Sequence, residues 1–197
     1  MATQHLEKII DGDGHVMEDI QGIVSHMSPE FRSDVFRDPF PPLDHLHSAN
    51  KHTLPEGAFQ PAQFDEWLAF LDDVGLDSTI LYTTRGLSFG KVINRDWAID
   101  LARAYNDWLY ETYLSRSDRF KGIGLIPLQE PLEAAKELRR IVRDYGMTGA
   151  MLPSTGAGQA HLGDPKYWPI YEEADRLGCA IGIHGGAHEN MGLDDMS

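Results

Sequence analysis

The sequence has little cysteine, few basic residues and no long apolar run, and each shortage excludes a class of protein or site. Its single cysteine, Cys179, excludes an internal disulfide and a metal site built from several thiolates. Lysine and arginine together number 17 against 31 aspartates and glutamates, which gives a formal net charge of −14. No basic stretch stands out that would bind nucleic-acid phosphates, so we expect no nucleic-acid partner.

Membrane and export signals are also missing. The opening residues, MATQHLEK, lack the basic start and the apolar stretch of a signal peptide. No apolar run approaches the roughly 20 residues that span a bilayer. We therefore expect a cytoplasmic protein without a membrane partner, and a composition that is 42% hydrophobic and 24% charged predicts an ordinary globular domain over residues 1–197.

What the sequence does contain is a regular alternation of short apolar runs and segments with helical period. This alternation predicts an α/β protein with a parallel sheet. Five runs have the length and the Gly, Pro or polar ends of buried strands: 9–15, 78–83, 122–127, 148–152 and 180–184. Four segments carry apolar stripes at helical spacing: 61–75, 97–109, 131–146 and 164–178.

One long segment breaks the alternation. Residues 25–60, which include PFPPLDHLHSANKHTLPEG, show neither strand nor helix period and are far longer than an ordinary connection. Because the segment follows strand one, we expect a lid-like insertion folded over a site.

The first strand carries three polar side chains at alternate positions. Since alternate residues of a strand share a face, Asp11, Asp13 and His15 in DGDGH are expected to point the same way. Buried carboxylates and an imidazole are costly unless they bind a metal or each other. Two interpretations remain open for this strand: a metal site, or a polar strand end whose carboxylates cap a neighbouring loop.

The last strand favours the metal site. In AIGIHGG, His184 ends an otherwise apolar run. Ligands of parallel β/α folds bind at the carboxyl ends of the strands, so His184 and His15 are expected at the same end of the sheet. Together with Asp13 they form a candidate set of three metal ligands.

Four motifs, in this order along the chain, resemble the amidohydrolase-related metalloenzymes, which include the aminocarboxymuconate-semialdehyde, gamma-resorcylate and 5-carboxyvanillate decarboxylases. The motifs are DGDGH followed by Glu18, RFKGIGLIPLQEPLEAAKELRR, GMTGAMLPSTGAGQAHLGDPKYWPIYEEADRLG and IGIHGG. The resemblance implies a (β/α)8 TIM barrel with one divalent metal. The family holds that metal with two residues of strand one, often His-x-His, a His of strand five and an Asp of strand eight.

Under this resemblance, Asp13, His15 and His184 take the first three ligand positions, with Asp13 where the first His usually stands. Zinc is the first expectation for the metal and manganese the second, since a carboxylate ligand also suits a harder cation. The resemblance further implies a homodimer for the complete enzyme.

The chain is short for this family, because a complete barrel takes about 250 residues. We therefore expect a TIM barrel truncated after about five β/α units, with strands six to eight absent. The catalytic residue is then unknown, because the strand-eight Asp that serves in proton transfer is missing. Strands one and five are expected to be open edges of the sheet.

Four other residues are candidates for supporting roles, and each has an ordinary alternative. Asp11 and Glu18 are predicted partners behind the ligands, although Glu18 also suits a surface loop. Arg85, after strand two, is predicted to bind a substrate carboxylate, with a structural salt bridge as the alternative. His188 either lines the pocket or faces water.

These features predict a metal-dependent hydrolase or carboxy-lyase that acts on a small carboxylic acid or amide, inactive in this truncated form. The residues do not distinguish hydrolysis from non-oxidative decarboxylation, because both use the same ligands. A different class also remains open, a non-catalytic binding or interaction domain on a complete five-stranded doubly wound sheet.

Overall fold

Five parallel strands form the centre of the computed structural model, which describes residues 8–33, 38–41, 61–154 and 160–185. The strands are β1 (Ile10–Val16), β2 (Ser78–Thr83), β3 (Phe120–Leu125), β4 (Gly149–Pro153) and β5 (Ala180–His184). All five predicted strands are present. β2 and β5 have the predicted bounds, and the other three are shifted by one or two residues.

Helices lie between the strands in the part of the chain that the structure describes. They are α1 (Ile20–His26), α2 (Pro29–Arg32), α3 (Phe64–Val74), α4 (Arg95–Leu109), α5 (Pro131–Asp144) and α6 (Trp168–Leu177). Two 3-10 helices, Arg85–Lys91 and Pro165–Tyr167, and a π-helical turn, Tyr110–Leu114, complete these connections. No helix within these described ranges is long and apolar enough to cross a bilayer.

The strands follow one another across the sheet in chain order, β1-β2-β3-β4-β5, and every neighbouring pair is parallel. A doubly wound sheet would reverse its strand order at a switch point, so this alternative is wrong. The sheet also curves strongly, because the Nε2 atoms of His15 on β1 and His184 on β5 lie only 3.1 Å apart. Five sequential parallel strands with this curvature form about half of a barrel wall.

The hydrophobic core lies between the convex side of this wall and the helices. From α4 it includes Leu101, Tyr105 and Leu109, all of which are fully buried. Asn106 joins α4 to the end of β3, because its Nδ2 donates to the Leu125 carbonyl (2.8 Å) while the Leu125 amide donates to its Oδ1 (2.9 Å). The concave side of the wall is therefore the side on which a functional site can form.

The predicted insertion at 25–60 includes the last two residues of α1 and all of α2, so its first part is helical, which corrects the expectation of a segment without helix or strand. Ile20, Ile23, Val24 and Met27 follow the helical spacing i, i+3, i+4, i+7, and Ile23 and Met27 are buried. This pattern forms α1, whose amino end is capped by the Asp19 carboxylate, and the four-residue α2 follows. Residues 42–60 lie outside the described part, so the lid remains a prediction.

β1 and β5 are the two end strands of the sheet in the described part of the chain. Apolar side chains are exposed on both, with Ile10 at 56% and Ile183 at 65% of full exposure. The expectation of two open edges is therefore confirmed for the residues described.

Candidate metal centre

Three side chains from the two end strands meet at the carboxyl-terminal side of the half-barrel. We call them the Asp–His–His cluster: Asp13, His15 and His184. The two Nε2 atoms are 3.1 Å apart, and the Asp13 Oδ1 lies 3.6 Å from each of them. The structure thus brings together the three residues that the sequence predicted as ligands.

Hydrogen bonds on the far side of each imidazole fix which nitrogen faces the cluster. The Nδ1 of His15 donates to the Thr83 carbonyl (2.8 Å), and the Nδ1 of His184 donates to the Gly185 carbonyl. Because a carbonyl oxygen only accepts, both Nδ1 atoms carry protons, and in the neutral rings both Nε2 atoms present lone pairs. Metal-binding histidines usually donate their other ring N–H to a backbone carbonyl or a carboxylate in this way.

The donor set fits a divalent cation. Two lone pairs and a carboxylate oxygen that face one another repel unless a positive charge lies between them. Metal–ligand distances of about 2.0–2.2 Å place neighbouring ligand atoms roughly 3.0–3.5 Å apart, close to the separations seen here. Burial and the neighbouring His184 lower the pKa of His15, although Thr83, Asp13 and Asp11 oppose this, so its imidazole is neutral at pH 7 and available as a ligand.

Asp11 does not share the face of the cluster, which corrects the expectation from strict alternation. The register of β1 against β2 shifts between Asp11 and Gly14, so a bulge interrupts the two-residue period. The Asp11 Oδ2 accepts from the Thr79 hydroxyl (2.8 Å), and its Oδ1 accepts from the Asp13 amide (3.1 Å). We call these two bonds the bulge latch.

Gly14 is required for the bulge latch. A Cβ at this position would lie 2.1 Å from the Thr79 Oγ1 and 2.8 Å from the Asp11 Oδ2, which is closer than any real contact. The latch therefore depends on the glycine between Asp13 and His15, and it holds the backbone of Asp13 where the strand departs from regular geometry.

Glu18 is buried, with only 2% of its surface exposed, so the surface-loop interpretation is wrong. Its carboxylate accepts from the Thr83 hydroxyl and from the backbone amides of Thr84, Arg85 and Gly86. Burial raises its pKa, and these bonds oppose that shift. Glu18 has no hydrogen bond to His15 among the described residues; it holds Thr83, whose carbonyl orients His15.

Arg85 lies at the mouth of the site but is paired there. Its Nη1 is 2.5 Å from the Asp38 Oδ2, and the same short segment is anchored by Phe40, which is 5% exposed. The structural salt bridge, the alternative for this residue, is therefore present, and a role in binding substrate stays a prediction. His188 lies outside the described residues.

Tyr82 is a member of the site that the sequence did not indicate. It is the register partner of His15 on β2, and its ring centroid lies 5.9 Å from that of His15 and 5.8 Å from that of His184. From the sequence alone, an aromatic residue in a strand is most simply interpreted as part of the hydrophobic core. The place of Tyr82 beside His15 can be inferred only once β1 and β2 are known to be neighbours in this register.

Two curated relatives of the chain are decarboxylases. It is 34% identical over 130 residues to the gamma-resorcylate decarboxylase of Rhodococcus jostii, a match covering 61% of this chain and 39% of the relative. It is 34% identical over 125 residues to the 2-amino-3-carboxymuconate-6-semialdehyde decarboxylase of Dictyostelium discoideum, covering 64% of this chain and 33% of the relative. The matches span less than half the length of these relatives.

A solved structure shows the same fold. The 5-carboxyvanillate decarboxylase of Novosphingobium aromaticivorans, complexed with manganese and 4-hydroxy-3-methoxy-5-nitrobenzoic acid, matches with a TM-score of 0.71 at 20% identity. The match covers 96% of this chain and 53% of that protein, so the chain spans about half of its length. The predicted fold class, part of a TIM barrel, is confirmed.

The family assignment follows from nearly the whole length of the sequence. The resemblance stated from the four motifs is confirmed, because the amidohydrolase family matches residues 10–196 and the chain therefore belongs to it.

Proposed function

We propose that this chain is the metal-binding part of a carboxy-lyase, which removes carbon dioxide without oxidation from a small hydroxylated aromatic acid. The observation that carries the proposal is the convergence of Asp13, His15 and His184 at the carboxyl ends of β1 and β5. The two decarboxylases among the curated relatives support a lyase over a hydrolase.

In this proposal the three residues of the Asp–His–His cluster hold one divalent cation. When bound, the cation supplies positive charge that attracts a substrate carboxylate and an adjacent oxygen. Two imidazoles and one carboxylate suit zinc or manganese, and the manganese in the 5-carboxyvanillate decarboxylase complex supports the second.

Other residues of the chain would hold the three proposed ligands in the orientation that the cation needs. Thr83 fixes the His15 ring through its carbonyl, and Glu18 fixes Thr83 from the buried side. The site opens at the carboxyl ends of the strands, where Arg85 and its partner Asp38 lie. We propose that the 25–60 insertion covers the bound acid, supported by the anchoring of Asp38 and Phe40 next to the 3-10 helix after β2.

Proton delivery to the leaving carbon is assigned by the family resemblance to an Asp of strand eight, which none of the five described strands supplies. We therefore propose that the 197 residues bind the metal and the aromatic acid but do not turn the acid over.

Metal and ligand binding by the 197-residue chain test the proposal. We expect isothermal titration to show one Mn²⁺ or Zn²⁺ per chain, lost in Asp13→Ala and His184→Ala and retained in the control His161→Ala, whose histidine is exposed. We expect 2,6-dihydroxybenzoate to bind only after metal is added.

Each other outcome points to a different conclusion. Unchanged metal content in Asp13→Ala and His184→Ala would favour the non-catalytic binding domain. Turnover of esters or lactones, without metal-dependent binding of the benzoate, would favour a hydrolase. Release of carbon dioxide from 2,6-dihydroxybenzoate by the 197-residue chain would contradict the incomplete catalytic set.

A further inference from the structure

Three aromatic rings form a compact triangle inside the half-barrel. The centroids of His15 and His184 are 4.9 Å apart with nearly perpendicular planes, at 79°. Tyr82 completes the triangle, at 5.9 Å from His15 and 5.8 Å from His184. Tyr82 is thus in ring contact with both histidines of the Asp–His–His cluster, and it sits on a third strand.

The position of Tyr82 depends on a glycine of β5. Gly182 lies two residues before His184, so the two residues share a face of the strand. A Cβ on Gly182 would lie 2.8 Å from the Tyr82 Oη, 3.2 Å from its Cε1 and 3.4 Å from its Cζ. The phenol of Tyr82 therefore spans the concave side from β2 and rests against the backbone of β5.

This contact matters because β1 and β5 are opposite ends of the sheet in the described residues. No backbone hydrogen bond in that part of the chain joins β1 directly to β5, so the sheet links His15 to His184 only through three intervening strands. Side-chain packing across the concave face therefore contributes to their separation, and the Tyr82 ring is in contact with both imidazoles. The adjoining backbone supports this arrangement, since His15 and Tyr82 are register partners on β1 and β2.

Packing in the hydrophobic core explains the position of Tyr82 less well than a role beside the cluster does. The fully buried residues of β2, Thr79, Leu81 and Thr83, alternate with Tyr82, which is only partly buried and lies on the other face of the strand, beside the cluster. None of the hydrogen bonds among the described residues involves its hydroxyl. Burial and the Asp13 carboxylate raise the pKa of Tyr82, so the ring stays neutral beside the ligands.

We propose that Tyr82 is a positioning residue of the metal site: its ring holds the imidazoles of His15 and His184 at ligand spacing, and Gly182 provides the space that it needs. This inference rests on the proposed metal site and adds two residues to it. Loss of a group that orients metal ligands typically weakens metal binding by about 10- to 100-fold, which sets the expected scale.

A double-mutant cycle on the 197-residue chain tests the inference, with Mn²⁺ affinity measured by isothermal titration. We expect Gly182→Ala to weaken binding by about 10-fold or more, because the new methyl displaces the Tyr82 hydroxyl. Tyr82→Phe removes the atom in closest contact, so the double variant Gly182→Ala/Tyr82→Phe should regain most of that loss. Tyr82→Phe alone should bind nearly as well as the wild type, and Tyr82→Ala should bind about 10-fold more weakly.

A matched control separates this effect from the general cost of replacing a glycine. Gly163 is described and has no atom within 4 Å of an added Cβ, so Gly163→Ala should leave the Mn²⁺ affinity unchanged. Thermal unfolding of each metal-free variant shows whether it is folded. The absorption spectrum of bound Co²⁺ reports ligand geometry in Tyr82→Ala and Tyr82→Phe even if Gly182→Ala does not fold.

The outcomes distinguish this inference from the proposed function. If the wild type binds no metal, both are overturned. If the wild type binds metal and folded Gly182→Ala and Tyr82→Ala bind it equally tightly, only the role of Tyr82 is overturned. If Gly182→Ala weakens binding and Tyr82→Phe does not restore it, the assignment of the hydroxyl as the clashing group is wrong and the role given to Gly182 is overturned.

Discussion

At the scale of single residues, each proposed ligand in the Asp–His–His cluster is held by a hydrogen bond behind it. The Thr83 carbonyl orients His15, and the Gly185 carbonyl orients His184. Asp13 differs, because its side chain is 70% exposed and its position is set through its own backbone amide, which donates to Asp11. The bulge latch therefore does for the carboxylate ligand what the carbonyl groups do for the two imidazoles.

We expect Thr79→Val to weaken metal binding without removing any charge. The substitution keeps the shape of the side chain but removes the hydroxyl that donates to Asp11, so the bulge that positions Asp13 loses one of its two bonds. The affinity for Mn²⁺ should fall several-fold, toward the roughly 10-fold that loss of an outer partner can cost. The free energy of unfolding should fall by about 1–2 kcal/mol, because an acceptor loses its partner.

Thr148→Val is the matched control for this prediction. Its hydroxyl also makes one hydrogen bond, to the Gly122 carbonyl at 2.9 Å, but it precedes β4 at the opposite end of the sheet from the cluster. Titration calorimetry and urea unfolding of both variants compare a loss near the site with the same loss elsewhere. Equal metal affinities for the two variants would contradict a positioning role for the latch.

The convergence of the three proposed ligands could be predicted from the sequence, whereas the residues that support them could not. The sequence around His15, His184 and Asp13 is informative by itself, because burying a polar side chain at the end of an apolar strand costs free energy unless the side chain has a binding partner. The departure of Asp11 from the shared face depends on a bulge, and the role of Tyr82 depends on which strands are neighbours. Both are properties of pairing between segments distant in the chain, which a local period does not contain.

At the scale of elements, helices α5 and α6 are clamped together on the convex side, next to the strands that they connect. Glu173 of α6 accepts a two-pronged pair of bonds from Arg139 of α5, at 2.9 Å each, and further bonds from Arg176. These bonds, from Arg176 first and Arg139 second, lower the pKa of Glu173 to about 2. This clamp, the group of hydrogen bonds between Glu173, Arg139 and Arg176, holds the helix before β4 against the helix before β5, the strand that carries His184.

The lowered pKa of Glu173 predicts how the free energy of unfolding changes with pH. A carboxylate whose pKa falls on folding stabilises the native state above its unfolded pKa, near 4.5, and loses that contribution as the pH falls toward about 2. We expect Glu173→Gln to lower the free energy of unfolding at pH 7 by about 1 kcal/mol, a modest value because the arginines are half exposed and screened by salt. The difference between variant and wild type should shrink steadily between pH 4.5 and 2.

Urea unfolding at a series of pH values measures this difference, and Glu172→Gln, a neighbouring exposed carboxylate on the same helix, controls for the change in net charge. A constant difference for Glu173→Gln across the acid range, or the same pH dependence in Glu172→Gln, would show that the clamp does not contribute.

The elements themselves were more predictable than their ends. Strands β2 and β5 match their predicted bounds, since each is an unbroken run bounded by turn residues. Helix α3 begins at Phe64 rather than near Pro61, because Gln63 and Glu66 form a capping box that starts the helix there. Helix α1 was missed because its short apolar pattern is followed by a Pro- and His-rich segment that has no period.

At the scale of the whole molecule, the described part of the half-barrel has a convex side packed against helices, a concave side that holds the candidate site, and two end strands that pair on one side only. Among the described residues β5 pairs only with β4, so its outer edge has no partner strand there, and Ile183 is exposed on it. The Ile183 side chain points away from the cluster because it alternates with Gly182 and His184. Exposed edges of this kind pair readily with other chains. The net charge of −14 opposes such contacts, and its effect weakens as salt is added.

We therefore expect the 197-residue chain to associate in a concentration- and salt-dependent way, and Ile183→Lys to reduce this association. A lysine on an edge strand is a common means by which proteins block edge pairing. Because residue 183 faces away from Asp13, His15 and His184, the affinity for Mn²⁺ should stay within about twofold of the wild-type value. Sedimentation velocity over a range of protein and salt concentrations measures the association directly.

The control for this prediction is Ile93→Lys, which places the same charge on a side chain that is 93% exposed but lies outside the sheet. If association depends on the β5 edge, only Ile183→Lys reduces it, and the two variants differ although their net charges are the same. If both variants reduce it equally, general charge repulsion explains the result and the edge has no special part. A wild-type chain that stays monomeric in high salt would mean that the edge is covered, which would contradict the expected association.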